Sequence, residues 1–359
     1  MSKLKKKVLV LFLCLSLFTL QGCPECIEPK LPDGSDSDII FTGISLNSDF
    51  PGIFTVNEDG SILVEHIENA AMFSPFSRDN YIVFLGKDGM EEDSLFRSHL
   101  SQMDKKYPKF EPGIFPRYPV ISPDGKYTAL FSGGDTGEDT LIIGTETQGW
   151  KQWAYEICPK TVPVFSPDGK YLAFYEGDSL EAPLRINIVS SDNPGNLYDF
   201  RELSFGIIGL RGEAILNWQH QDTIAYSFSR EANLDSIGIW NLKNEENSFT
   251  IKAEYEGAYN PIISPDGTKI VITDRKGDLW QSRLSSDSLF INWEQLVATD
   301  EQEYILYPSW SADNKKILYT KFFKNNSNPY SGNLEILDVK TEKSRIVCNN
   351  VSRAFWMDK

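Results

Sequence analysis

Histidine and cysteine are scarce. Three His and five Cys in 359 residues are too few for a His-rich metal site, a zinc-ribbon array or a disulfide-dense scaffold. Positive charge is also in short supply, with 35 Lys and Arg against 51 Asp and Glu and a net charge of −16. A nucleic-acid partner needs a basic footprint, so that class is excluded, and anionic lipid surfaces exert no electrostatic pull on the chain. The leading apolar run, Val8 to Leu20, has 13 residues, fewer than the roughly 20 that span a bilayer. Glycine and proline, 25 and 19 residues, sit at background level. No G-x-S-x-G pentapeptide occurs, so the nucleophile elbow of a serine hydrolase is missing. What is present is 41% hydrophobic and 13% aromatic residues, enough for a substantial core.

The N-terminus reads as a targeting segment. Lys3, Lys5, Lys6 and Lys7 precede the apolar run, which ends in Leu20-Gln21-Gly22-Cys23. A basic n-region followed by a short apolar h-region is a signal peptide. The tetrapeptide resembles the lipobox of bacterial lipoproteins. That resemblance implies cleavage after residue 22 and acylation of the Cys23 thiol and its new amino group. Each buried methylene contributes about 0.8 kcal/mol, so several acyl chains anchor firmly. Pro24, not Asp, follows the Cys, which by the same resemblance implies the outer membrane. Residues 23–37 are rich in Pro, Asp, Ser and Glu and read as a solvated tether. Without the signal the chain carries 31 basic and 51 acidic residues, net −20. Lipid rather than charge would hold it to a membrane. Cys26, Cys158 and Cys348 remain, an odd number from which one pair is free to bridge in an oxidising compartment.

A repeat organises the rest. YPVISPDGKYTALF (118–131), VPVFSPDGKYLAFY (162–175), NPIISPDGTKIVIT (260–273) and YPSWSADNKKILYT (307–320) are variants of one pattern. Two copies are degenerate, AAMFSPFSRDNYIVF (70–84) and ILNWQHQDTIAYS (215–227), and SRAFWMDK (352–359) is truncated. Aligned on the motif serine, the copies fall at 74, 122, 166, 219, 264, 311 and 356, spaced by 48, 44, 53, 45, 47 and 45 residues. Such a period fits a four-stranded propeller blade. The turn has a mechanism. Pro123, Pro167 and Pro265 preset φ, Asp124, Asp168 and Asp266 bond back to the backbone, and Gly125, Gly169 and Gly267 accept positive φ. Ser122, Ser166 and Ser264 open these turns. Each motif therefore reads as a hairpin. A third run follows (TLIIGT, LRINIVS, SIGIWNL, DLWQSRL, NLEILDV), then a weaker fourth such as SFTIKAEY.

The N-terminal stretch supplies IIFTG, GIFTV and ILVEH, three strands without a first, and the C-terminal copy supplies a first strand alone. Pairing Ala354 to Met357 with them completes one blade and removes open edges. The expectation is an all-β fold: one propeller domain over 38–359, of four-stranded antiparallel blades, seven in number, closed by the last strand. Six or eight blades follow if a degenerate copy is miscounted. The Ser-Pro-Asp-Gly-Lys-Tyr pattern resembles the WD-like repeat of TolB-type periplasmic proteins. It also resembles the propellers of prolyl oligopeptidase relatives and of oligogalacturonate lyases. The resemblance covers nearly the whole mature chain and implies fold more than function, because the repeat specifies turns and packing. No residues are left over for a hydrolase domain.

Few residues look chemical. His220 replaces part of the turn and is either a ligand or base, or a surface side chain of a degenerate copy; His66 and His99 sit near strand ends. The acidic loop 133–139 has oxygen ligands for a hard cation but not the spacing of a calcium loop, and reads as solvated surface rather than a cation site, as do Glu91, Glu92 and Asp93. No metal and no cofactor is expected. Trp310 and Phe165 read as packing between blades. Loops entering first strands crowd one face, which would display Tyr118, Arg211, Tyr259, Tyr307 and Arg353 beside loops 176–183, 229–235 and 321–331. Tyr, Phe and Arg favour contact surfaces. Two functions stand: a lipid-anchored envelope scaffold that binds protein or glycan, and a glycan-active lyase- or hydrolase-like enzyme with its site in the channel.

Overall fold

Runs rich in Val, Ile, Phe and Tyr, broken by Pro, Gly and Asp, build strands, and the computed structural model is all strand and turn. It describes residues 37–44, 51–71, 81–87, 93–99, 115–133, 139–145, 149–154, 161–177, 184–203, 214–229, 235–243, 248–252, 258–284, 292–325, 328 and 332–357, and holds no helix among them. The signal segment, Cys23, all of the tether except Ser37, and Arg211 lie outside the described residues.

The first strands are β1 (Ile39–Ile44), β2 (Pro51–Val56) and β3 (Val64–Glu68), followed by β4 (Ala70–Ala71), β5 (Tyr81–Lys87) and β6 (Asp93–His99). A sheet follows from β7 (Phe115–Ile121), β8 (Thr128–Gly133), β9 (Asp139–Thr145) and β10 (Gly149–Ala154). Next come β11 (Thr161–Val162), β12 (Val164–Phe165), β13 (Tyr171–Glu176), β14 (Leu184–Ser190) and β15 (Leu197–Leu203). They are followed by β16 (Ala214–Ile215), β17 (Asn217–His220), β18 (Thr223–Ser229), β19 (Asp235–Asn241) and β20 (Phe249–Lys252). The last are β21 (Ala258–Ile263), β22 (Lys269–Asp274), β23 (Leu279–Arg283), β24 (Glu294–Val297), β25 (Glu303–Trp310), β26 (Lys316–Phe323), β27 (Gly332–Asp338) and β28 (Lys343–Trp356).

Four sheets run β7 to β10, β12 to β15, β17 to β20 and β21 to β24, each antiparallel with sequence neighbours paired. A three-stranded sheet holds β4 to β6. A seven-stranded sheet runs β25-β26-β27-β28-β1-β2-β3. The pairing within it turns on β28, a strand of 14 residues. Its first half pairs with β27, from Lys343 opposite Asp338, and its second half pairs with β1, with Trp356 opposite Ile39 and Arg353 opposite Thr42. A parallel pair, Thr161 opposite Ala214 and Val162 opposite Ile215, links the segment before Pro163 to the next repeat.

Side chains alternate between the two faces of each strand, and each face packs on a different neighbour. In β8, Ala129 and Phe131 join Val162 of β11 and Phe165, Leu172 and Phe174 of the following sheet, while Leu130 joins Leu95 of the preceding one. Comparable clusters join β12–β15 to β17–β20 through Tyr175, Ile186 and Trp240, and β17–β20 to β21–β24 through Ile239 and Ile270. Trp310 and Val271 join β21–β24 to β25–β28. Leu318 and Ile336 pack on Phe41 and Phe54, and Ile40, Ile53 and Met357 pack on Ala70, Ile82 and Phe84. Phe165 and Trp310, expected from sequence to pack between sheets, do so, and the Trp310 indole N–H donates to the Ile262 carbonyl at 3.3 Å.

Candidate functional site

The motif turns are built alike. In the first, the Ser122 hydroxyl donates to Asp124 Oδ1 at 2.5 Å and accepts from the Tyr127 amide at 2.9 Å, while the Lys126 amide donates to Asp124 Oδ1 at 3.1 Å. The same set recurs at Ser166–Asp168, Ser264–Asp266 and Ser311–Asp313, with hydroxyl–carboxylate distances of 2.7, 2.6 and 2.8 Å. Gly125, Gly169, Gly267 and Asn314 close these turns at φ of 68°, 72°, 71° and 61°, a region where glycine is unstrained and Asn tolerated. Pro123, Pro167 and Pro265 hold the second position, as expected. The Ser311 hydroxyl, then Lys315, hold the Asp313 carboxyl down at about 2. At Asp168 and Asp266 burial pushes upward, but the Ser166 and Ser264 hydroxyls and the local amides prevail and the carboxyls lie below their ordinary value.

Turns of successive repeats touch. A Cβ on Gly169 would lie 3.2 Å from Asp124 Oδ1, and one on Gly267 would lie 2.9 Å from the ring of His220. The Asp266 amide donates to Asn314 Oδ1 at 3.2 Å, and Arg97 Nη2 donates to the Gly125 carbonyl at 2.6 Å. His220 thus occupies the place against the next turn that an Asp fills in a regular copy. His66 bonds Thr55 Oγ1 through Nε2 at 2.8 Å, and His99 packs edge-on against Tyr81.

The first strands are irregular at matching positions within them, ahead of the motif turns. Tyr118, Asn260 and Tyr307 have φ of 50°, 49° and 54°, each is followed by proline, and the pairing register shifts at each. Proline cannot donate to a ladder, and an extra residue beside it makes a bulge that re-aims side chains. A non-glycine residue in the left-handed region costs roughly 1–2 kcal/mol, and strain of this kind clusters at functional sites. The sequence signal was a Tyr-Pro or Asn-Pro pair at one repeat position; Asn260 was not singled out from it.

Of the candidate face residues, Arg353 and Tyr307 are brought together. The Arg353 guanidinium lies 4.3 Å from the ring centroid of Tyr307, whose edge meets Phe322 at 6.4 Å. Arg353 is only 4% exposed. Tyr259 is buried and its carbonyl accepts from Thr273 Oγ1 at 3.3 Å. Tyr118 is half-buried against the cluster that contains Val120 and Phe165.

Two charged networks sit within the sheets. Lys321 Nζ lies 3.3 Å from Glu335 Oε1 and 3.9 Å from Glu303 Oε2. The Tyr319 hydroxyl donates to Glu335 Oε2 at 2.6 Å and lies 2.8 Å from Ser344 Oγ. Burial first, then the Glu335 charge, raises the Tyr319 pKa, so the phenol stays a donor. In the sheet β12–β15, Glu176 Oε2 accepts from Arg185 Nε at 2.8 Å and from Asn187 Nδ2 at 2.7 Å. Among the described residues no three His, Cys, Asp or Glu side chains converge as metal ligands. Residues 134–138, 91 and 92, and most of the rim loops fall outside the described residues.

No protein-family model and no curated protein matches the chain. Solved structures do. TolB from Acinetobacter baumannii shares 14% identity over 90% of this chain and 67% of its own, with a TM-score of 0.52. An oligogalacturonate lyase from Vibrio parahaemolyticus shares 16% over 87% and 86%, at 0.53. A protein described as a 6-phosphogluconolactonase from Bacteroides fragilis shares 10% over 94% and 100%, at 0.57. The fold is a TolB-like β-propeller. At these identities the likeness carries the architecture only, and its members include a lyase as well as TolB. In that fold the antiparallel sheets correspond to blades, and the strained Tyr118, Asn260 and Tyr307 lie within β7, β21 and β25.

Proposed function

We propose that the chain is a lipid-anchored scaffold of the bacterial envelope, a closed seven-bladed propeller that binds a protein or glycan and carries out no reaction. Closure is supported by β28, which serves one blade as outer strand and the next as inner strand. Apolar clusters couple each blade to the next through β1–β3 and back to β4–β6. Anchoring is supported by Leu20-Gln21-Gly22-Cys23 behind a basic, apolar leader; the lipid would place the propeller at the outer membrane. Binding is supported by the strained Tyr118, Asn260 and Tyr307 within the first strands, beside which buried Arg353 stacks on Tyr307.

The observation that carries the reading is a lipobox ahead of a propeller whose repeated Ser and Asp side chains are engaged in its own turns. The test has two arms. Full-length protein made in a bacterial host is expected to incorporate labelled palmitate and to fractionate with membranes, and Cys23→Ala is expected to abolish both. Labelling that survives the substitution would refute the anchor. The second reading is the glycan-active enzyme, favoured by the likeness to the lyase over 87% of this chain. Purified protein is expected to release no unsaturated uronides from polygalacturonate with calcium or manganese added. Release that a chelator stops would replace the scaffold with the enzyme.

A further inference from the structure

The strand β15 ends the sheet β12 to β15, and among the described residues no strand pairs with its outer side. Other sheets end on short or charged strands. β20 has four residues, β24 reads Glu-Gln-Leu-Val, and β3 carries Glu65 and Glu68, which are ordinary protections of an edge. β15 differs. Of the six exposed large apolar side chains among the described residues, three lie on it: Leu197, Tyr198 and Phe200, at 45%, 56% and 47%. Phe200 stands opposite Asn187 and under Arg185, whose guanidinium carbon is 5.4 Å from the ring centroid and whose Nε donates to Glu176. Asp199 and Arg201 point to the other face, opposite Ile188 and Ile186. Arg201 lies over Tyr226 and Trp240 at 5.9 Å, and Asp199 Oδ1 accepts from the Phe200 amide at 2.8 Å.

An open antiparallel edge can add a second copy of itself about a two-fold axis, and the charges of β15 select the register. Facing residues must share their hydrogen-bonding direction, so the axis moves one whole residue at a time. With the axis at Asp199, two carboxylates meet. With it at Arg201, two guanidinium groups meet. Like charges directly opposite destabilise a pair of strands. With the axis at Phe200, Asp199 of each copy faces Arg201 of the other, and the two Phe200 rings meet on the opposite face. Charge complementarity and cover for the exposed ring therefore agree in one register. The Asp199 carboxylate has lone pairs left beside its bond to the Phe200 amide, and the bond it would accept from a guanidinium is of the stronger, charge-assisted kind. A pairing confined to one seven-residue strand falls at the small end of interfaces, which suits weak association.

We propose that two copies of this chain associate through β15, edge to edge and antiparallel about Phe200, joining one blade of each into a continuous sheet. The pairing depends neither on the lipid anchor nor on the Arg353–Tyr307 contact. The test is sedimentation of the full chain in a detergent matched in density to the solvent. A monomer–dimer equilibrium with a micromolar Kd is expected. Asp199→Arg and Arg201→Asp are each expected to raise that Kd by about tenfold or more, because each sets like charges opposite. An equimolar mixture of the two variants is expected to dimerise again, since every facing pair is then opposite in sign. A wild-type chain that stays monomeric up to about 200 µM, where even small interfaces associate, would overturn the proposal. So would a dimer that both charge variants keep, or a mixture that does not recover it. If the charge variants fail to fold, Phe200→Cys decides. Its facing Cα atoms would be about 4.5–5.5 Å apart, inside the disulfide range, so oxidation is expected to give a 200–200 disulfide, read by mass spectrometry. Glu202→Cys would face Tyr198 and lie about 13 Å along the strand from its own copy, and is expected to give none. Any other pattern from these two cysteine variants defeats the pairing.

Discussion

Arg353 stands over the ring of Tyr307, 4.3 Å from its centroid, across 46 residues of chain. Arg353 lies on the half of β28 that pairs with β1, and Tyr307 begins its bulge in β25. The contact therefore ties the second half of β28 to β25. A desolvated cation over an aromatic face is worth about 2 kcal/mol. Arg353→Met is expected to lower unfolding free energy by at least that much, and Tyr307→Phe by far less because the ring remains. Urea midpoints with unchanged slopes would show it; equal losses in both variants would mean that the hydroxyl, not the ring, is the partner.

Deletion of residues 352–359 removes most of the strand segment paired with β1 and takes Ala354 and Met357 from two clusters. Losing one buried Met alone typically costs 2–5 kcal/mol, and β1 becomes an exposed edge. Melting is expected to fall by roughly 10 °C or more, with aggregation. A truncated protein that melts with the full chain would defeat closure by this strand.

Ser166→Ala leaves the Tyr171 amide and the Asp168 carboxylate without their shared partner. A loss of about 1–3 kcal/mol is expected. Lys170→Ala, whose side chain is 73% exposed in its ion pair with Asp168, should change stability by less than about 0.5 kcal/mol. Chemical denaturation of the two variants separates the turn's hydrogen bonds from its surface charge.

Asp313 titrates at about 2 in the folded chain against an ordinary 3.8. A lowered carboxyl stabilises the fold above its unfolded pKa and loses that contribution as pH falls through the folded value. The stability gap between wild type and Asp313→Asn should be constant from pH 7 to about 5, shrink below about 4 and close near 2. The gap stays small because the side chain is half exposed and screened. A gap that widens as pH falls would contradict the assignment.

Burial pushes the free thiol of Cys348 up to about 12. Thiolate is the reactive form, so at pH 8 only about one part in ten thousand is ready to react. Iodoacetamide is expected to leave the Cys348 peptide unlabelled in native protein and to label it in urea, read by mass spectrometry. Rapid native labelling would show that β28 opens locally.

The turn chemistry was legible because it is local. Ser, Pro, Asp and Gly at fixed offsets determine their own hydrogen bonds, and Ser122, Ser166 and Ser264 make the bonds that their motif implies. Strands such as β9, β14 and β27 were legible from alternation. What depended on pairing was not. β28 continues through Asn349 and Asn350 without a break, so the truncated last repeat and the outer strand before it are one element. Nor did sequence show that Arg353, placed on an open face, is buried against Tyr307.

Val351 to Trp356 pair with β1 from the far side of the propeller's sequence. Until they are in place, β1 to β3 lack a neighbour and the apolar faces of Ile39, Phe41 and Phe54 lack cover. Contacts that close so large a loop form late in folding, so the β1 edge is the part of this sheet that waits longest for its partner.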